Sequence, residues 1–504
     1  MLKRLCQSLG LASLILVTNY GDLLGGGADV RMHTPFPLAQ LCFAHIADLL
    51  LLALLLFLLL TSFARTRFYP WLCLLLAIAV PPYLLQRTQS INSFDLIEGM
   101  VALFLVLWTA VVLLLLLRFA KWYRRLMRTG SFVTAALALF ALASIAQLLW
   151  VAAWRPAPNQ IAAVWNQPSQ PPRQHPLIVW IVFDELSYNQ LFEHRAPNLA
   201  LPNFDALRAQ STLFTNTQSI GIHTVNVIPS LLTGRLVDGV RYTFHNRLWV
   251  HHADGSGRQL IDGASSVFGE AVQSGWRTAA VGWYNPYCSI YAPDIQDCYW
   301  TDHDMQDGPI SQSATLAANI VSPLHQLAVE LISPARADRD LCAFDLRLRH
   351  LTQIDLQQHA LQILRADQAD FVFLHLSLPH SPNTWSRAQN TFTNQCGSSY
   401  LDNLALTDRV LGQLLAALQS SPRWGQTTLI VQGDHGWRTQ IWRGLPAWTE
   451  EDEVASRGIF DPRPALLIHQ PAQSTPQTVS TPWPILQVHS VVQQILRSQS
   501  PTLP

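Results

Sequence analysis

The chain has 504 residues, with 33 Lys plus Arg against 33 Asp plus Glu, so it carries no basic field that would speak for a nucleic-acid partner. Hydrophobic residues make up 49% of it, and they are unevenly spread. Residues 1–154 read as membrane-type sequence, and the rest as a soluble domain large enough to bury a core.

In chain order, apolar runs occur at 5–24, 38–63, 71–86, 97–117 and 132–154. The runs at 38–63, 97–117 and 132–154 reach the roughly 20 residues that a helix needs to cross a bilayer. The run at 5–24 is interrupted by Asn19 and Asp22, and the run at 71–86 is short and carries Pro81-Pro82. A cleaved signal peptide is the other reading of the first run, but no small-residue cleavage site follows it. Lys3-Arg4, Arg65 with Arg67, and the group Arg118, Lys121, Arg124, Arg125 and Arg128 alternate with segments poor in positive charge. About five spans put all three basic groups on the cytoplasmic face and the C-terminal domain outside. The expectation is therefore an all-α transmembrane bundle over 1–154, multi-pass in the cytoplasmic (inner) membrane.

A Pro-rich linker follows at 155–176, then a domain over 177–497. There, strand-like apolar runs at 177–183, 278–283, 370–378, 427–431 and 465–469 alternate with helical patterns at 203–210, 261–274, 351–365 and 400–419. That alternation predicts an α/β domain with a doubly wound, mostly parallel sheet, whose ligands bind beyond the carboxyl ends of the strands. The stretch from Trp300 to Asp345, rich in small and polar residues, reads as a loop, either a lid or an insertion.

Cys6, Cys42 and Cys73 lie in or beside the apolar runs, whereas Cys288, Cys298, Cys342 and Cys396 form an even set in the exported domain. Four cysteines allow three connectivities. The short loop favours Cys288–Cys298, which leaves Cys342–Cys396. Four reduced thiols is the alternative, and a zinc site lacks any CxxC spacing.

Chemistry gathers at the strand ends. Asp184-Glu185 closes the first strand, and paired carboxylates there repel unless a cation sits nearby. Asp434-His435 closes a later one and offers an oxygen and a nitrogen suited to zinc or manganese. Thr224, before the Pro229-Ser230 helix start, is the candidate nucleophile, a weak one unless a base or metal activates it. His380, in Pro379-His380-Ser381-Pro382, could contact a phosphoryl oxygen or a second metal, or protonate a leaving group. His375 reads as a packed strand histidine, and Asp402 and Asp408 as solvated or capping residues.

Taken in order, these motifs, with His223-Thr224 leading to Pro229-Ser230-Leu231-Leu232-Thr233-Gly234-Arg235 and with Asp434-His435-Gly436, resemble the alkaline phosphatase superfamily in its sulfatase-like branch. With about five preceding spans, the chain resembles the membrane phosphoethanolamine transferases and lipoteichoic acid synthases. The resemblance implies that Asp184, with Glu185 adjacent, Thr224, Asp434 and His435 hold a divalent metal. It also implies that Thr224 takes the transferred group covalently and that His380 lies near the substrate. Two departures stand out. Val227 occupies the position of the formylglycine precursor, and Leu231 replaces the arginine of the sulfatase motif, which argues against a formylglycine sulfatase. No nearby downstream histidine completes a second metal centre, so one tightly bound metal is expected.

The expected function is phospho-group transfer from a membrane lipid or lipid-linked donor to a glycan or lipid acceptor, or to water. A sulfuric or phosphoric ester hydrolase and an inactive membrane sensor or scaffold are the alternatives.

Overall fold

The computed structural model describes residues 1–25, 38–92, 100–153, 175–242, 247–301, 315–332, 334–445, 447–499 and 503. The chain divides into two compact units, one of Met1–Arg155 with Gln306–Pro334, the other of Pro156–Met305 with Ala335–Pro504. Nearly all of the Pro-rich linker lies outside the described residues.

The first unit is helical: α1 (Leu2–Gly25), α2 (Leu38–Ser62), α3 (Tyr69–Asn92), α4 (Met100–Arg118), α5 (Ala120–Ala136) and α6 (Ala138–Ala152). Small residues let α1, α2 and α6 approach one another, with Ala12, Ala44 and Ala141 all fully buried. Outward, α2 presents Leu50, Leu51, Leu54, Leu55 and Leu58.

Among the described residues two helices, not five, are long and apolar enough to cross a membrane: Ala39–Arg65, with mean hydropathy 2.6, and Ala120–Ala152, with 2.2. The third and fourth sequence runs give shorter apolar helices, Tyr69–Leu84 and Leu103–Arg118. α1 mixes Gln7, Ser8 and Ser13 into its apolar residues. The basic group after the fourth run, which a five-span topology would leave as a loop, is helical as well. Arg118 ends α4, while Lys121, Arg124, Arg125 and Arg128 lie along α5, so that charge and the last apolar run share one helical stretch.

The stretch from Trp300 to Asp345 is not a loop throughout. Residues 302–314 and 333 lie outside the described residues, but Leu316–Ile332 is a helix of the first unit that packs on α2. Leu316, Ile320, Leu324 and Leu327 recur at helical spacing there, a stripe that average composition conceals.

The second unit is built on an eight-stranded sheet: β1 (Leu177–Phe183), β2 (Thr212–Phe214), β3 (Thr278–Gly282), β4 (Asp297–Trp300), β5 (Phe371–Leu376), β6 (Thr427–Gly433), β7 (Leu466–His469) and β8 (Gln477–Val479). Their order across the sheet is β8-β2-β7-β6-β1-β5-β3-β4. β1 lies centrally and is buried throughout. Val179, Ile181 and Phe183 enter the core on one face, and Ile178, Trp180 and Val182 the core on the other. At about 1.5–3 kcal/mol per large apolar side chain, this unbroken run accounts for the position of β1 at the centre.

The sheet is mixed, because β7 runs antiparallel to both β6 and β2. The chain re-enters the sheet beside the carboxyl end of β6, where Gly433 N–H donates to Ala465 at 2.9 Å, so the strand that follows must run back. Both disulfides, Cys288–Cys298 and Cys342–Cys396, are formed as the sequence favours.

Candidate active site and metal centre

Strand register creates the site. Phe183, the last residue of β1, stands beside Gly433 of β6 and Leu376 of β5, so Asp184 and Asp434 leave the sheet as neighbours. Glu185 then turns through the left-handed region with φ 65°, a conformation that costs a non-glycine residue about 1–3 kcal/mol. Two contacts hold the turn. Glu185 N–H donates to Asp434 Oδ1 at 3.0 Å, and the Tyr400 hydroxyl donates to the Glu185 carbonyl at 2.6 Å. As a result the adjacent carboxylates of Asp184 and Glu185 serve different groups of side chains.

Asp184 joins Asp434 and His435. Ligand atoms of the three lie within 4.8 Å of one another, and all three residues are buried. His435 Nδ1 lies 3.0 Å from the Gly436 carbonyl, to which it donates, and this leaves the Nε2 lone pair facing the carboxylates. Gly436 itself is required, since a Cβ there would sit 2.3 Å from the Asp461 carbonyl oxygen. Thr224 opens helix α7 (Thr224–Thr233) and places its hydroxyl among the three. Its Oγ1 lies 2.8 Å from Asp434 Oδ2, 3.2 Å from Asp184 Oδ2 and 3.3 Å from His435 Nε2.

These residues fit a divalent cation. Asp184 Oδ1 is buried with no hydrogen-bond partner. Burial first, and the charge of Asp434 next, push the Asp184 carboxyl well above the usual carboxylate range. A nearby cation relieves both effects. Two carboxylates, an imidazole nitrogen and a hydroxyl are a donor set that zinc or manganese accepts.

Glu185 belongs to a second group. Its carboxylate is ion-paired with Arg438 Nε and accepts from Trp442 Nε1 at 2.9 Å on each oxygen. Arg438 Nη2 donates to His380 Nε2 at 2.8 Å. The His380 Nδ1 lies against the Ser381 carbonyl, so this ring is a neutral acceptor toward Arg438 and does not aim a proton into the site. Burial, then Arg349 and Arg438, hold the His380 imidazole well below its ordinary value, in keeping with that state. Arg349 donates to the Ser381 carbonyl at 3.2 Å and stacks its guanidinium 4.4 Å from the Trp283 ring centroid. Two arginines thus flank His380, and Arg438 Nη1 reaches the Ile222 carbonyl at 3.4 Å, just ahead of α7, whose dipole also favours an anion.

The structure brings Asp184, Thr224, Asp434 and His435 together and places Glu185 and His380 around Arg438 instead. His375 is a packed strand residue, with Nδ1 2.7 Å from the Tyr287 hydroxyl. Asp402 completes a capping box with Ser399, and Asp408 accepts from the N–H groups of Asn203 and Phe204 at 3.0 and 2.8 Å. Val227 is buried within α7 and offers no chemistry. Sequence reasoning missed Arg438, Arg349, Trp442 and Tyr400. Of these, Arg438 alone had a signal, because it follows Asp434-His435-Gly436-Trp437 directly and three carboxylates at strand ends call for a positive charge.

The Sulfatase family model matches residues 176–454, more than half of the chain, and the chain belongs to that family, within the alkaline phosphatase superfamily. It is a sulfatase-like enzyme. Solved structures similar to it include Ps i-CgsB in complex with k-i-k-neocarrahexaose, with 15% identity over 66% of this chain and 73% of that one and a TM-score of 0.42. The phosphonate monoester hydrolase of Agrobacterium radiobacter is similar at 12% identity over 64% and 74%, with a TM-score of 0.38. A protein in the alkaline phosphatase superfamily from Vibrio parahaemolyticus is similar at 12% identity over 64% and 67%, also at 0.38. Among curated proteins none matches the chain. Membership of the family rests on the sequence model.

Proposed function

We propose that the protein is a metal-dependent phospho-group transferase that works through a covalent Thr224 intermediate on a lipid-linked donor outside the cytoplasmic membrane. One observation carries the reading: the Thr224 hydroxyl lies within 3.3 Å of three candidate ligand side chains, in the position that an activated nucleophile needs. Asp184, Asp434, His435 and Thr224 would hold the metal. A bound zinc or manganese would acidify the hydroxyl and polarise a substrate oxygen.

The remaining steps belong to side chains. Asp434 Oδ2, at 2.8 Å, is the nearest acceptor for the threonine proton. Thr224 Oγ1 attacks phosphorus, the O–P bond to threonine forms, and the bond to the donor alcohol breaks. An acceptor hydroxyl then attacks the same phosphorus and releases Thr224. Arg438 and Arg349 supply positive charge beside the transferring group. A threonine ester, unlike a formylglycine hydrate, cannot collapse by eliminating its own hydroxyl, so release needs a second nucleophile. A glycan or lipid hydroxyl meets that requirement, as water would in the hydrolase reading, and the two apolar helices, which suit a lipid-linked donor, favour the former.

Location rests on separate support. Two helices are apolar enough to cross a membrane, and two disulfides suit an oxidising compartment. A sulfuric or phosphoric ester hydrolase using the same residues is the second reading, and family membership favours it.

The test is peptide mass spectrometry and metal analysis on protein isolated from its own membranes, beside Thr224→Ala. The expected result is a phospho-linked adduct on Thr224 that requires metal and vanishes in the variant. Thr224→Ala should also lower turnover at least about a thousandfold, as loss of a nucleophile does. Rapid turnover of soluble esters with no acceptor would replace transferase by hydrolase, and unchanged turnover in Thr224→Ala would remove the nucleophile assignment.

A further inference from the structure

We propose that one end of the helical unit is a binding surface for anionic phospholipid headgroups, assembled from basic and aromatic side chains of three separate chain segments. The proposal rests on the reading that this unit lies in a membrane.

Residues 1–4, 63–73 and 118–130 carry nine cations, two in each of the first two segments and five in the third, and no Asp or Glu. The fold brings these segments to one end of the unit. Tyr69, in the first turn of α3, is hydrogen-bonded through its hydroxyl to Arg4 of α1 and to Cys73 one turn further on. Tyr123 of α5 is close enough to Cys73 to interact with it electrostatically. α1 also packs along α5, and only Phe119 separates α5 from the end of α4. On α5 the spacing of Lys121, Arg124, Arg125 and Arg128 puts four cations on one helical face, over about 10 Å of its axis. All four are exposed, whereas Tyr123, Leu126 and Met127 behind them are half-buried. Among the described residues no carboxylate pairs with any of the nine. Like charges gathered in this way repel, and a counter-charge from outside the chain relieves them.

Depth along the helices identifies the source of that counter-charge. Ala120–Ala152 runs 33 residues, about 50 Å at 1.5 Å per residue, against a hydrocarbon core about 30 Å thick. Seating its apolar part, 130–152, in that core leaves the first two turns of α5 at the level of the lipid phosphates. The other apolar helix, Ala39–Arg65, ends on Arg65, and only three residues then lead to Tyr69 at the same end. Phe68, Trp71, Phe119 and Trp122 are exposed there, interleaved with the cations, as in the aromatic belt of a membrane interface. The Arg125 guanidinium lies 5.0 Å from the Trp122 ring centroid, and that of Arg67 lies 5.1 Å from the Phe68 centroid. A ring under the guanidinium face leaves its N–H edge for a phosphate oxygen. A free phosphate would use the cations and leave the aromatic rings in water. A phospholipid uses both, with its headgroup on the cations and its upper chain and glycerol against the rings.

The experiment uses the full chain in neutral detergent, with phosphatidylglycerol or phosphatidylcholine of the same acyl chains as the probe. Native mass spectrometry reads the lipids bound per chain. Wild type should prefer phosphatidylglycerol by at least about tenfold, since each cation near an anionic surface contributes about fivefold, and added salt should shrink the preference. Combining Lys121→Gln, Arg124→Gln, Arg125→Gln and Arg128→Gln should bring the preference to within about twofold, with the helical circular dichroism unchanged. Combining Arg124→Lys, Arg125→Lys and Arg128→Lys keeps the charge and should keep the preference, which separates lost charge from a folding defect. Equal binding of the two lipids by wild type, or a preference that survives the four glutamines, would overturn the proposal. So would displacement of phosphatidylglycerol by inorganic phosphate at equal concentration, which would make this a site for a soluble anion. Alkaline carbonate washing of native membranes tests the underlying reading separately. Release of wild type there would remove the membrane reading and the proposal with it, whereas retention without lipid preference would remove the proposal alone.

Discussion

The two units dispose of polar and apolar groups in opposite ways. In the sheet unit the interior accepts ionised side chains and gives them partners: Glu185 has Arg438 and Trp442, and Asp370 has Arg277 and Arg423. Its large apolar residues are inside, with Ile181, Phe183 and Trp180 fully buried. In the helical unit alanines such as Ala12, Ala44 and Ala141 are inside together with some leucines, while a row of other leucines faces out, with Leu54 and Leu55 each 54% exposed on α2. A row of exposed leucines along one helix suits an apolar medium or a partner surface, whereas single exposed apolar residues are ordinary. The difference teaches that the sheet unit is ordered by its polar network and the helical unit by what surrounds it. Each half of that contrast can be attacked separately.

The largest expected effect is metal removal. At ion concentrations about a thousandfold above Kd, binding stabilises the folded state by about 4 kcal/mol. Chelation should therefore lower the unfolding temperature of the sheet unit by several degrees while helical circular dichroism from α1 to α6 persists. Simultaneous loss of both signals would show that the units do not answer separately. The pH dependence follows from Asp184, whose carboxyl is raised by burial and by Asp434. In the metal-free protein the contribution of Asp184 itself to stability is full below the ordinary carboxylate range and is lost as pH climbs through its raised value. Metal must displace the same proton, so below that value affinity should fall by about tenfold per pH unit. Asp184→Asn should flatten the slope as well as weaken binding, which a titration series at several pH values would read.

Much of this was legible in the sequence, and for stated reasons. Unbroken apolar runs such as Leu177–Phe183 can be little else than strands buried on both faces, and their ends had to carry the site. Asp184, Asp434 and His435 were visible because strand ends constrain where they point, and Thr224 through the motif around it, since the helix opens at Thr224 itself and not at Pro229. Glu185 was misplaced because a run of letters does not show a backbone that turns at φ 65° and parts two adjacent carboxylates. Arg349 was illegible for another reason. It lies on helix Pro334–Ala366, outside every motif at the strand ends, and only the fold brings it beside His380. In the helical unit, apolar composition overstated the spans, because length and interruption decide whether a run can cross a bilayer.

Smaller effects should follow from the disulfides, which belong to the sheet unit alone, while Cys6, Cys42 and Cys73 take part in neither bridge. The bridges close sequence separations of 54 for Cys342–Cys396 and 10 for Cys288–Cys298. Chain entropy assigns them about 4 and about 2.7 kcal/mol respectively. Alanine replacement of each pair, followed by denaturant unfolding, should rank them in that order. The reverse order would mean that packing around Cys288 and Cys298, both buried, outweighs loop closure.

The smallest expected effect tests the outer face of α2. Leu54→Arg puts a cation among the exposed leucines near the middle of Ala39–Arg65, where a charged residue costs about 2.5–3.5 kcal/mol if lipid surrounds it. The matched control is Val454→Arg in the sheet unit, at a residue 72% exposed, where a surface substitution should stay within about 0.5 kcal/mol. The readout is the fraction of protein that remains in the membrane pellet after alkaline carbonate washing. Leu54→Arg should lose a measurable share and Val454→Arg none. Equal retention of the two would mean that the leucines of α2 meet water or protein and not lipid. The exposed face would then call for a partner chain, and the contrast between the units would reduce to the sheet unit's charge network alone.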